Sequence, residues 1–218
     1  DALIRYRIFT PLCSGAQDTF PLVVCLHGAG DRGHDNARQL SWLPSVLSEA
    51  RSQRDYPCFV LAPQCPEDSD WTRFRKSCHR ADQASSEGAD MLMRLLREVT
   101  KDPRVDVHRV YLVGFSMGSY GAWELAADFP DAFAAVVPIA GGGPTSLAAS
   151  LVNVPVWTVH GDNDEICPVQ QTRDIVDALV AAGAQPRYSE LLGIGHHAWK
   201  HVFGESDDLL QWMFRQRR

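Results

Sequence analysis

The chain has 218 residues, 45% of them hydrophobic and 22% charged, with a formal net charge of −6. That is ordinary globular composition with enough chain for one substantial core, so the expectation is a single domain over residues 1–218. The mild charge and scattered Lys and Arg argue against nucleic acid as a partner, and no apolar run approaches the ~18 residues that a membrane-spanning helix needs.

Position 1 is Asp rather than Met, which leaves room for a signal peptide already removed. The six cysteines, at positions 13, 25, 58, 65, 78 and 167, show neither C-x-x-C nor zinc spacing. Cys25 and Cys58 fall in or beside apolar runs and read as buried small hydrophobes. Cys65 and Cys78 bracket a polar stretch and could pair in an oxidising compartment. A chain of this size does not need such staples, so free thiols, and with them a cytoplasmic rather than a secreted location, are expected. Oligomeric state is not legible.

Residues 3–9 alternate apolar and polar side chains, as an antiparallel edge strand does. Leu22 to Leu26 is a continuous apolar run, the signature of an interior strand, and it ends in the glycine-rich loop His27-Gly-Ala-Gly-Asp-Arg-Gly33. Leu40, Leu43, Val46 and Leu47 share one helical face. Cys58 to Ala62 reads as the next strand, closed by Pro63. Residues 63–80 form a long polar loop containing Trp71 and Phe74, and a loop of that length usually has a function or is disordered. Met91, Leu92, Leu95, Leu96 and Val99 mark an amphipathic helix.

Val110 to Val113 is a buried strand by composition. Ala122, Trp123, Leu125, Ala126 and Phe129 recur at helical spacing until Pro130. Strands follow at Phe133–Ile139, Pro155–Val159 and Arg187–Leu192, with helices around Ile175–Val180 and Leu209–Phe214. This alternation describes an α/β fold with a mainly parallel sheet and helices on both faces. No insertion is long enough for a cap domain, so a site at the strand ends would be open, roofed only by loops such as 63–80.

Between the strand ending at Val113 and the following helix sits Gly114-Phe-Ser116-Met-Gly118, a G-x-S-x-G. A strand turning sharply into a helix crowds the backbone, and glycines two before and two after the serine relieve the crowding. A chance match arises in roughly one chain in fifteen of this length, so the flanking strand and helix carry the weight. Two further loops at strand ends supply an acid and a base, giving the chain order Ser116, Asp164, His196. A serine hydroxyl attacks only when an imidazole takes its proton, and the imidazole needs a carboxylate to orient it.

Asp162 is the alternative acid; Asp164, further round the loop, has the better reach. His197 is the alternative base; Gly195 before His196 suits a tight approach. His197 and His201 lie i,i+4, but no third ligand completes a metal site. A tetrahedral intermediate needs two backbone N–H donors, one from Met117 and one from Ala29, with Gly30 as second choice. His27 reads as a hydrogen-bonding brace for that turn. Trp71, Ile166 and Trp199 either line the substrate pocket or pack beside it.

The blocks His27-Gly-Ala-Gly-Asp-Arg-Gly33, Ala62-Pro-Gln-Cys-Pro66, Gly114–Gly118, Pro138-Ile-Ala-Gly-Gly-Gly143, His160-Gly-Asp-Asn-Asp164 and Gly195-His196 resemble the phospholipase/carboxylesterase branch of the α/β-hydrolase superfamily. The nearest likeness is to its dienelactone-hydrolase-like and "predicted peptidase" esterases, beside the feruloyl esterases, over nearly the whole chain. The resemblance implies an α/β-hydrolase fold without a cap domain and a triad of Ser116, Asp164 and His196. It also implies Ala29 and Met117 as oxyanion hole, no metal and no cofactor. The expected activity is hydrolysis of a small-molecule carboxylic ester with a short or accessible acyl chain. A peptidase or amidase on the same residues is the alternative, and a non-catalytic binding protein of the same fold a more distant one. Ser119 and Cys167 depart from the branch's usual Gly and Val; neither removes a catalytic group, and Ser119 leaves the helix packing behind the elbow open.

Overall fold

Phe20–Leu26 (β2) is buried at every position. The run alternates between two apolar layers: Leu22, Val24 and Leu26 face one, Val23 and Cys25 the other. A strand covered on both faces has to sit inside a sheet sandwiched by helices. The computed structural model describes residues 4–11, 18–73, 87–203 and 207–218, and among these it has one seven-stranded sheet.

The strands are β1 (Arg5–Phe9), β2, β3 (Phe59–Gln64), β4 (Val105–Phe115), β5 (Ala135–Ile139), β6 (Trp157–Gly161) and β7 (Arg187–Leu191), in the spatial order β1-β3-β2-β4-β5-β6-β7. β1 runs antiparallel to β3 at one edge; every other pairing is parallel. The helices are α1 (Leu43–Ser48), α2 (Ala50–Asp55), α3 (Glu87–Val99), α4 (Met117–Asp128), α5 (Gln170–Ala181), α6 (Trp199–Val202) and α7 (Asp208–Arg215). Leu92 of α3, Trp123 of α4 and Ile175 of α5 pack on one face of the sheet. Leu43 of α1 and Leu210 and Met213 of α7 pack on the other.

Several boundaries differ from the pattern-based reading. β3 runs through Pro63 to Gln64 instead of stopping before it. Its pairing with β2 ends at Leu61, so only the edge strand β1 lies alongside Pro63, and an edge position tolerates the missing N–H. β4 starts five residues early, at Val105 opposite Phe20. β6 starts late, at Trp157; Pro155, having no N–H, only accepts a bond from Val136 N at 2.9 Å. The single helical face at 40–47 is broken at Trp42 (φ −134°, ψ −127°) into a 3-10 turn (Arg38–Leu40) and α1, and a further helix, α2, follows after an extended Glu49 at ψ 146°. The short helix α6 and a 3-10 segment at Thr145–Leu151 lack a clear periodic signal and went unread.

The cysteines need correction too. Cys25, Cys58 and Cys65 are buried free thiols, but Cys167 is disulfide-bonded. Cys65 therefore does not pair, and the expectation of free thiols throughout fails at Cys167. Burial pushes the Cys65 thiol up to about 12. Cys13, Cys78 and Phe74 lie outside the described residues.

Candidate active site

Ser116 joins β4 to α4 with φ 57° and ψ −117°, a left-handed conformation that an L-residue with a side chain adopts only under constraint. The constraint is the close passage of three segments. A Cβ on Gly114 would lie 2.0 Å from Gly118 O, and one on Gly118 would lie 2.0 Å from Leu26 O. Ser116 N donates to Ile139 O at 2.8 Å, and Ser119 N donates back to Ser116 O at 2.8 Å. Both glycines of the motif are thus required by backbone contact. Ser119 is buried and donates through Oγ to Gly141 O at 2.7 Å, so this departure from glycine ties the elbow to the loop after β5.

His196 reaches Ser116 from the loop after β7. Its Nε2 lies 2.8 Å from Ser116 Oγ, and its Nδ1 lies 2.8 Å from Asp164 Oδ2. With Nδ1 donating to the carboxylate, Nε2 is left to accept the serine proton. The Asp164 side chain is buried and accepts four hydrogen bonds. Oδ1 takes the N–H groups of Ile166 and Cys167, each at 2.9 Å. Oδ2 takes His196 and also His160 Nε2 at 3.1 Å. Burial pushes its pKa up, but the bonds from His160, His196 and the two backbone N–H groups outweigh burial. They hold the carboxyl well below the usual range, hence ionised.

Asp162, the alternative acid, faces elsewhere: its Oδ1 accepts from Gly193 N at 2.6 Å, and its N–H donates to Leu191 O at 3.1 Å. It straps the acid loop to the histidine loop. Gly161 lets those loops touch, since a Cβ there would sit 2.1 Å from Ile194 O. His197, the alternative base, packs its ring against Phe115 and His196. Burial and then the charge of Lys200 lower its pKa.

The turn after β2 lies against the serine. Gly28 is at 3.4 Å, by a notional Cβ, from Ser116 Cβ, and the 3-10 turn Ala29–Asp31 begins immediately after it. Ala29 and Met117 each open a helical segment, so their N–H groups have no acceptor within it. His27 braces this turn from below. Its Nδ1 lies 2.7 Å from Gly28 O, and its Nε2 accepts Cys65 N at 2.9 Å. Burial lowers its pKa to about 4, so it is neutral near pH 7. Trp71 does not line the groove over Ser116. It is fully buried and donates Nε1–H to His27 O at 3.2 Å, which makes it part of the brace.

The groove over Ser116 has a volume of about 490 Å³. Ile166 and Trp199 line it. Trp42 and Phe115, which the sequence reading did not single out, complete an aromatic wall with Trp199, their rings 6.0–6.5 Å apart. Phe115 could have been found, since the residue before an elbow serine ends its strand at the site. Lys200 brings a cation to the same wall. Among the described residues no group of three or more His, Cys, Asp or Glu is placed to hold a metal ion. None of the described helices is long and apolar enough to cross a membrane.

The profile of the dienelactone hydrolase family matches residues 64–198. The chain belongs to the dienelactone hydrolase family. A thermostable esterase of known crystal structure matches 99% of this chain and 60% of its own at 34% identity, with a TM-score of 0.89. The fold is therefore the α/β-hydrolase fold. NocK of Nocardia uniformis subsp. tsuyamanensis is 34% identical over 99 residues, which are 44% of this chain and 29% of that protein. Acyl-protein thioesterase 1 homolog 1 of Dictyostelium discoideum is 22% identical over 198 residues, 81% of this chain and 83% of that one. This dienelactone hydrolase family member thus spans less than a third of NocK and about three fifths of the thermostable esterase.

Proposed function

We propose that this chain is a carboxylesterase that works through Ser116, His196 and Asp164 by way of an acyl-enzyme, with residues 1–218 acting as one hydrolase domain. The observation that carries the reading is the unbroken chain of two 2.8 Å contacts from serine to imidazole to a buried, ionised carboxylate. Family membership supports the same chemistry.

In this reading His196 Nε2 takes the Ser116 Oγ proton as Oγ bonds to the ester carbonyl carbon. The N–H groups of Ala29 and Met117 meet the resulting oxyanion, each worth roughly 3 kcal/mol in the transition state. The tetrahedral adduct collapses, the bond from carbon to the alcohol oxygen breaks, and His196 Nε2–H protonates the departing alkoxide. Water then adds to the acyl-enzyme with His196 again as base. The Oγ–carbon bond breaks, and the carboxylic acid leaves with Ser116 restored. Asp164 stays ionised throughout and stabilises the imidazolium. A groove with an aromatic wall, over which the described residues place no cap, suits short or accessible acyl groups.

The test is turnover of p-nitrophenyl esters from acetate to palmitate beside the matching p-nitroanilides. Short esters should be cleaved and anilides left intact. Ser116→Ala should drop kcat to the residue left by oxyanion binding, at most about 10³–10⁴-fold above water. Anilide cleavage at the ester rate would make the enzyme a peptidase. Wild-type turnover by Ser116→Ala would end the serine assignment.

A further inference from the structure

The carboxylate of Asp164 serves two histidines, and the mechanism above uses only one. His160 lies on β6, buried with zero exposure. Its Nε2 is 3.1 Å from Asp164 Oδ2 and 3.0 Å from Cys167 O. Both neighbours are acceptors, so Nε2 carries a hydrogen. Its Nδ1 is 2.7 Å from Thr172 Oγ1. Thr172 stands on α5 and is likewise fully buried. In the neutral ring Nδ1 accepts the threonine hydroxyl proton, so the two neighbours together select the Nε2–H tautomer.

We propose that His160, oriented by Thr172, is a positioning residue for the acid. It donates to Asp164 Oδ2 and so fixes the plane of the carboxylate that aims His196. The two backbone donors, Ile166 N and Cys167 N, both bind Oδ1. With only that oxygen held, Oδ2 can swing away from His196 Nδ1. His196 cannot be the anchor, because its ring has to exchange protons with the serine and the leaving group. The remaining donor on Oδ2 is His160, which stands on a strand and is held through Thr172 to a helix, not on a loop. The same Nε2–H reaches Cys167 O, so one hydrogen ties both ends of the 164–167 turn to the sheet. The inference rests on the reading of Ser116, His196 and Asp164 as the reacting set.

Two substitutions separate this role from simple packing. His160→Phe keeps the ring volume and removes the donor. His160→Gln loses the ring and keeps an amide N–H near the position of Nε2. If the ring merely fills space, Phe is the better substitute; if the donor matters, Gln is. The expectation with p-nitrophenyl acetate is that His160→Phe lowers kcat about ten- to a hundredfold, the scale seen when an outer-shell partner of a working ligand is removed. KM should stay within about twofold, because an interaction that acts on the chemical step lowers kcat alone. His160→Gln should recover most of the lost kcat.

Thr172→Val, which keeps the shape of Thr172 and removes its hydroxyl, should lower kcat in the same direction by less, and it stands in if His160→Phe does not fold. Wild-type kcat in His160→Phe, or a Gln variant as slow as the Phe variant, overturns the proposal. If His160→Phe yields no folded protein, wild-type kcat in Thr172→Val overturns it instead. Ser116→Ala runs alongside. If it keeps turnover, the reading of the reacting set falls. If it is dead while His160→Phe is fast, only the positioning role falls.

Discussion

His27 lies under the turn that would hold the oxyanion, and its burial has a consequence for the stability of the whole protein. Its folded-state pKa is lowered to about 4, while the unfolded chain takes up its proton near ~6.5. Between those values the unfolded state binds more protons. Stability therefore falls as pH drops through that window, by about 3 kcal/mol over its full width. His197, also lowered, adds a smaller slope of the same sign. Asp164 acts lower down, its contribution being present above ~4 and lost as pH falls further. His27→Gln should flatten the fall in the urea midpoint between pH 7 and 4.5, even though its stability at pH 7 is lower; equal slopes in the two proteins would contradict the assignment.

At Ser116 the left-handed backbone is a standing strain, of order 1–3 kcal/mol. Ser116→Gly should raise Tm while removing activity, measurable by calorimetry beside Ser116→Ala, which keeps the strain. Chain order and the G-x-S-x-G pattern were enough to bring Ser116, Asp164 and His196 forward as candidates, because the proposed chemistry needs fixed residue types at strand ends, and the three do lie within hydrogen-bonding distance. In the sequence His160 is no more than the first residue of the block His160-Gly-Asp-Asn-Asp164. Its partners, Thr172 and Asp164, meet it through the packing of α5 on β6, and no local pattern encodes that meeting.

Among the elements, the loops after β6 and β7 behave as one unit. Gly161 sits where Ile194 O approaches, Asp162 binds Gly193 N, and Asn163 N donates to Ile194 O at 3.0 Å. Gly161→Ala drives a methyl into the Ile194 carbonyl and pushes the histidine loop away from the serine. A displacement of about 1 Å is enough to cost about 10²-fold in rate. The expected outcome is a kcat loss of that size in protein that still shows a cooperative melt; a rate within twofold of wild type would mean that the loops move together.

The number and order of the regular strands and the longer helices were legible from apolar runs and helical spacing, since burial of those faces dictates both. Less legible were the breaks. Trp42, at φ −134° and ψ −127°, interrupts a face that is periodic on paper, and Pro63 sits inside a strand because only the edge strand lies alongside it there. The sequence left lining the pocket and packing beside it equally open for Trp71, which stands in a polar stretch. Its burial depends on Gly121, where a Cβ would come within 2.4 Å of Trp71 Cβ. That glycine makes room for an indole about fifty positions earlier in the chain, a coupling that only the folded backbone displays.

At the scale of the molecule, six parallel strands point their carboxyl ends the same way, and every candidate reacting group hangs from that rim: Ser116 after β4, Asp164 after β6, His196 after β7, Ala29 after β2. Alternation of strands and helices was enough to foresee this, because parallel pairing forces the connections to cross over and leaves the rim to loops. The opposite rim is held by different contacts. Arg218 N donates to His108 O at 3.2 Å, and the Arg218 guanidinium donates to Val107 O at 2.7–2.9 Å, near the start of β4. From there to Ser116 is the run of one strand, roughly 25 Å at about 3.3 Å per residue. A bead, an electrode or a reporter protein coupled at residue 218 would hold the molecule by its underside, with the groove opening toward the bulk liquid.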